Sequence, residues 1–318
     1  MPERIPIIID TDPGIDDALA LLLAAGSPEL EVLAVTTVGG NVTLDHATEN
    51  AQRILPVAWG GRPAPPLYRG AAGGDETAEY VHGADGLGGV SLHRDEHGAL
   101  RYPPVGALAP GAAHDAILSL ADARPDEIIL VTLGPLTNVA AALQHDPATM
   151  RRVREVVIMG GAFREPGNTG PVAEFNIFVD PEAAQIVCES GLPLRWIPID
   201  VTHQCLLRHQ QIEALTDSPR ARFARAIAGF YMDYHYSGYG EYACFLHDPV
   251  AVAAVIWPEL FHTEALRVDV ETYGTLTRGM TVADFRPEAY RSAATPNGSV
   301  ALGADHASLV ARILGRLA

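Results

Sequence analysis

Several things are scarce in this chain, and each scarcity removes a class of function. Basic residues are few: 22 Lys and Arg stand against 39 Asp and Glu, a net charge of −17 over 318 residues. Phosphate backbones call for a basic face, so nucleic acid is excluded as a partner. No basic stretch precedes an apolar one near the N-terminus, so no signal peptide is expected. No apolar run reaches the length that spans a bilayer, so no membrane segment is expected either. The three cysteines, Cys188, Cys205 and Cys244, are scattered and odd in number, which is no disulfide framework. They read as reduced core thiols of a cytoplasmic protein, not as a catalytic thiol. Internal repeats are absent too. What is plentiful is apolar residue, 48% of the chain, enough for the core of one large α/β domain or two small ones.

The chain is organised around Ile7 to Ala25, IIIDTDPGIDDALALLLAA. Ile7 to Ile9 predict a short buried strand, and Ala18 to Ala25 predict a helix buried on most sides. The aspartates between them therefore lie at the carboxyl end of a strand, the edge where open parallel sheets bind ligands. One aspartate there would serve as a helix cap. Asp10, Asp12, Asp16 and Asp17 together repel one another, and the helix terminus offers only about half a positive charge. A divalent cation neutralises them better, and all-oxygen ligands favour calcium or magnesium. An EF-hand starting at Asp10 would need Glu where Leu21 stands. A haloacid-dehalogenase-type phosphatase usually has Thr or Val where Gly14 stands.

Beyond this segment, strand and helix alternate, so an open, mostly parallel sheet with crossover helices is expected. Glu31 to Val38 predicts a strand ending in Gly39, Gly40 and Asn41. Thr43 caps a helix to Leu55 that Pro56 stops, and Val57 to Gly60 reads as a third strand. Arg62 to Pro110, rich in Gly and Pro, reads as a long functional loop. Ala112 to Ala123 is helical. Glu127 to Leu133, Glu155 to Met159 and Leu194 to Ile199 are strands. Ser218 to about Tyr236 is a helix whose end, FYMDYHYSGYGEY, is crowded with tyrosines. Asp248 with Pro249 has the form of a cap with proline in the first helical position, ahead of a helix Ala251 to Trp257. Leu266, Val268 and Val270 with Thr275 to Val282 read as a hairpin at the sheet edge, and Ala304 to Leu317 as a closing helix.

DTDPGIDDALAL closely resembles the opening motif of the calcium-dependent, inosine-uridine-preferring nucleoside hydrolases. GGN at Gly39 to Asn41, VHGADGLGG at Val81 to Gly89, LGPLTNVA at Leu133 to Ala140, VIMGG at Val157 to Gly161, Gly167-Asn168, AEFN at Ala173 to Asn176, HDP at His247 to Pro249 and GTLTRGMTVAD at Gly274 to Asp284 resemble the same family. The resemblance implies a single domain over residues 1–318 with a Rossmann-type core. It implies hydrolysis of the N-glycosidic bond of ribonucleosides to free base and ribose. It implies one Ca²⁺ held by Asp12, Asp17, Asp248 and the main-chain carbonyl of Leu133, with Asp12 also the general base. Asp16, Asn41, Asn168, Glu174 and Asn176 would hold the ribose, with Asp248 touching it as well. His82, Met159, Phe175 and a tyrosine such as Tyr231 would surround sugar and base. His247 would protonate the leaving base, helped by an ordinary imidazole pKa near 6.5. A cytoplasmic homodimer or homotetramer is also implied. A nucleotide-pathway phosphatase and a calcium-dependent binding protein without turnover are the alternative readings.

Overall fold

The structure is a computed structural model that describes residues 4–290 and 295–317. Among them are strands β1 (Ile5–Thr11), β2 (Leu30–Thr37), β3 (Leu67–Arg69), β4 (Ile129–Thr132), β5 (Glu155–Met159), β6 (Leu194–Ile197), β7 (Leu206–Arg208), β8 (Ala243–Phe245), β9 (Phe261–Leu266), β10 (Val268–Val270), β11 (Thr281–Ala283) and β12 (Gly298–Ala304). Eight of them form one sheet in the order β3-β2-β1-β4-β5-β6-β12-β9. All its pairings are parallel except β12 with β9. The expected open, mostly parallel sheet flanked by helices is what the chain forms.

A parallel sheet is covered on both faces, so its central strands read as unbroken apolar runs. Ile7, Ile8 and Ile9 of β1 are fully buried. Ile7 and Ile9 enter one core and Ile8 the other, as the two-residue period of a strand requires. Strand order reverses at β1, with β2 and β3 to one side and β4 to β6 to the other. The carboxyl ends of β1 and β4 therefore flank a crevice of the kind such sheets use for ligands. Helix 15–26 leaves β1 through the aspartate loop. Every residue from Ile15 to Ala25 is buried, because its leucines and alanines leave no polar face.

Five expectations are corrected. Pro56 does not stop the second helix, which runs Leu44–Trp59 with Thr43 as its cap. A proline there removes the donor to the carbonyl of Gln52, and the amide of Val105 supplies one instead at 3.2 Å. Val57 to Gly60 is thus helix end and left-handed stop, and the third strand is Leu67–Arg69. The hairpin is found as β10 with β11, but as a separate two-stranded ribbon. Leu266 instead ends β9 of the main sheet. The later helix begins at His247, so Asp248 lies inside its first turn and is not its cap. The closing helix is His306–Leu317, and Ala304 belongs to β12. No helix among the described residues is long and apolar enough to cross a membrane.

Candidate active site

The loops after β1, β2 and β4 meet around Asp12. Its Oδ2 accepts the backbone N–H of Asn41 at 2.7 Å. A Cβ on Gly40 or Gly134 would overlap the Asp12 carboxylate, so the GGN and LGP turns need bare backbone where they pass it. Asp17 accepts from the Thr11 hydroxyl, from Gly14 N at 2.9 Å and from Asn41 Nδ2 at 3.0 Å. Asp16, Asp17 and Asp248 each place a carboxylate oxygen within 4.8 Å of the others. Asp12 stands outside that tightest group but close enough for its charge to raise the pKa of Asp248.

All four carboxyls are pushed above the usual range, first because burial disfavours their charge. Repulsion from Asp17 comes next for Asp12 and Asp16, and repulsion from Asp16 for Asp248. Hydrogen bonds from Thr11 and Gly14 pull Asp17 part of the way back. Among the described residues, Asp12 Oδ1 and Asp16 Oδ1 are buried without any hydrogen-bond partner. Buried, mutually repelling oxygens with lone pairs to spare are what a hard divalent cation satisfies, so the donor set fits a metal site. Among the described residues it is the one such group found.

Over this cluster lies a cavity that opens to solvent. Of the residues expected from sequence, Asp16, Asn41, His82, Leu133, Met159, Asn168, Glu174, Phe175, Asn176, Tyr231, His247 and Asp248 line it. Asp12 and Asp17 are fully buried and do not reach its wall. Asn176 Nδ2 donates to the carbonyls of Leu133 at 2.7 Å and Met159 at 3.2 Å. The Leu133 carbonyl expected to face the metal thus has one lone pair engaged and one spare. Asn168 Oδ1 accepts from Phe175 N at 2.9 Å, leaving its NH₂ free. Glu174 caps helix 175–179 by accepting from Asn176 N and Ile177 N, and it also takes Gly161 N. Burial outweighs these bonds and raises its carboxyl to about 7.

The outer cavity is aromatic. Tyr231, His235 and Tyr239 recur every four residues along helix 219–239 and so share a face. Of the late tyrosines, Tyr231, Tyr234 and Tyr239 line the cavity. His203 stacks on Phe245 with ring centroids 4.5 Å apart. His82 Nδ1 accepts Ile15 N at 3.1 Å and lies 3.9 Å from Asp16. His203, His235 and Phe245 were not expected from sequence. The four-residue spacing on the helix was the one signal that could have found His235. His247 departs from the expected pKa near 6.5: burial first, then the neighbouring His203, His235 and His82, push it well down. Burial likewise lowers His82 to about 3 and both His203 and His235 to about 4.

Residues 7–311 match the family described as inosine-uridine preferring nucleoside hydrolase. The inosine-uridine preferring nucleoside hydrolase of Leishmania major is 41% identical over 303 residues, covering 90% of this chain and 89% of that protein. A probable uridine nucleosidase of Arabidopsis thaliana is 38% identical over 328 residues, covering 99% and 98%. The solved structure of a plant nucleoside hydrolase superposes with a TM-score of 0.90 at 35% identity, covering 99% of each chain.

Proposed function

The chain belongs to the inosine-uridine preferring nucleoside hydrolase family and hydrolyses the N-glycosidic bond of ribonucleosides, and on that premise we infer that calcium is its cation, Asp12 its general base and His247 the group that assists the leaving base. The observation that carries this reading is the buried Asp16, Asp17 and Asp248 cluster, with unpartnered oxygens on Asp16 and on the adjoining Asp12, under a cavity walled by polar groups on one side and aromatic rings on the other.

When bound, a hard cation there supplies Lewis-acid polarisation of the attacking water and an anchor for the ribose diol. Asp17, Asp248, Asp12 and the Leu133 carbonyl are the protein groups that would hold it. Asp12 keeps Oδ1 free while Asn41 fixes Oδ2, so one oxygen is oriented and the other can take the proton from water. Asn168 offers its NH₂ to a ribose hydroxyl, and Asn176 its carbonyl oxygen, since their other ends are engaged. Asp16, Asn41 and Glu174 complete the sugar contacts. The buried negative charge favours the oxocarbenium-like ribosyl cation formed as the bond to the base breaks. The base departs among His82, Met159, Phe175 and Tyr231, with His247 beside it.

We read residues 1–318 as one domain acting as a cytoplasmic homodimer or homotetramer, a setting that suits three buried free cysteines. Metal analysis of protein purified without chelator should find about one calcium per chain. A reducing-sugar assay should show ribose release that chelation abolishes and calcium restores. Zinc in place of calcium, or full activity after chelation, would overturn the assignment.

A further inference from the structure

Thr202 has no part in the reaction just described, yet it makes the one side-chain hydrogen bond that His247 has among the described residues. Its Oγ1 lies 2.7 Å from His247 Nδ1. Thr202 ends the short helix Ile199–Thr202 that follows β6. That turn is fastened on two sides. Ile199 N donates to Gly161 O at 3.0 Å. The Asp200 carboxylate takes the amides of Phe163 at 2.9 Å and Arg164 at 2.7 Å. The hydroxyl is therefore held in place by the loop after β5, independently of the helix that carries His247.

Thr202 is fully buried, and its hydroxyl has no other hydrogen-bond partner among the described residues. A buried hydroxyl proton left without an acceptor is unfavourable by about 1–3 kcal/mol. The proton therefore goes to His247 Nδ1, and the ring hydrogen of the neutral imidazole sits on Nε2. No protein partner occupies Nε2 among the described residues, and His247 lines the cavity.

We propose that Thr202 is a positioning residue: its hydroxyl locks His247 in the tautomer whose Nε2–H faces the departing base. As the C1′–N electron pair moves onto the base, that N–H meets the growing charge. With the tautomer reversed, a lone pair would face it instead. The proposal rests on the reading that His247 acts on the leaving base, and concerns which nitrogen carries the hydrogen.

The test uses calcium-loaded enzyme and three variants, Thr202→Val, Thr202→Ser and His247→Ala. Each is assayed for kcat and KM on the better of inosine and uridine and on p-nitrophenyl riboside, whose leaving group needs little help. Thr202→Val should lose about tenfold to a hundredfold in kcat on the nucleoside, a typical loss when the partner orienting a functional histidine is removed. Its KM and its rate on the nitrophenyl riboside should stay within about threefold, and Thr202→Ser should recover most of the loss. Equal losses on both substrates in His247→Ala would remove the acid reading itself. A leaving-group-selective His247→Ala beside a Thr202→Val that is unaffected, or equally slow on both substrates, would overturn the role of Thr202 alone. ¹⁵N NMR of histidine-labelled parent enzyme, with His247 assigned by its absence from His247→Ala, reads the tautomer directly even where Thr202→Val does not fold. A hydrogen on Nδ1 overturns the proposal.

Discussion

Stripping the cation should change how stability depends on pH, and in a direction opposite to the usual one. Asp12, Asp16, Asp17, Asp248 and Glu174 all have folded-state pKa values raised above their ordinary ones. In the metal-free protein folding therefore takes up protons. The stability these groups allow is present at low pH and is lost as pH rises from about 4 through their folded values. Glu174, which moves from 4.5 to about 7, would by itself withdraw about 3 kcal/mol by the time it is fully ionised. At about 1.5 °C per kcal/mol for a chain of this length, that alone lowers Tm by about 4–5 °C, and the aspartates add to it. A bound cation stabilises the ionised forms and binds more tightly as they lose protons. The gap in Tm between loaded and stripped protein should therefore be small near pH 5 and widen steadily to pH 8. Differential scanning calorimetry on both forms across that range measures it. A gap that stays constant or narrows with rising pH would refute the claim that the buried aspartates form the cation site.

Two further outcomes follow from the geometry around Asp12. Asp12→Asn should lower ribose release by about a hundredfold to ten-thousandfold, the usual range for loss of a general base; activity within tenfold of the parent with calcium still bound would reject that role. Gly40→Ala puts a methyl against Asp12 Oδ2 where no space exists; kcat should fall at least tenfold and calcium affinity should drop. An alanine variant with parental activity and affinity would show that the GGN turn can yield there.

The metal-site half of the pocket was legible in the sequence because its residues sit in contiguous turns. DTDPGIDD, GGN, LGP and AEFN each close a strand or open a helix, so topology alone brings them to one sheet edge. The base-side half was harder to read, since His203, His235 and Phe245 come from three separate elements and meet only through tertiary packing. The helix runs through Pro56 because the carbonyl it frees finds another donor, and that donor, Val105, lies 49 positions further along. The pKa of His247 departs from its local reading for a similar reason. Burial beside three other imidazoles leaves no trace in the local string HDP. Asp248 reads as a cap from its neighbour Pro249, yet the helix starts earlier and turns the carboxylate inward to Asp16 and Asp17.

The all-round burial of helix 15–26 also has a bearing on when the site can form. One flank of this helix packs against helix 306–317, with the Arg316 guanidinium at Gly26 O and the Arg316 backbone so close that Gly26 has no room for a side chain. Almost 300 residues separate those partners, a contact of very high sequence separation, and such contacts form late. During synthesis the acidic loop emerges well before helix 306–317, one of the walls around its helix. Until then Asp16 and Asp17 sit on a helix with one side in water, where carboxylates hold a cation weakly. Strong cation binding therefore waits until helix 306–317 has docked, long after the loop that carries the aspartates has been made.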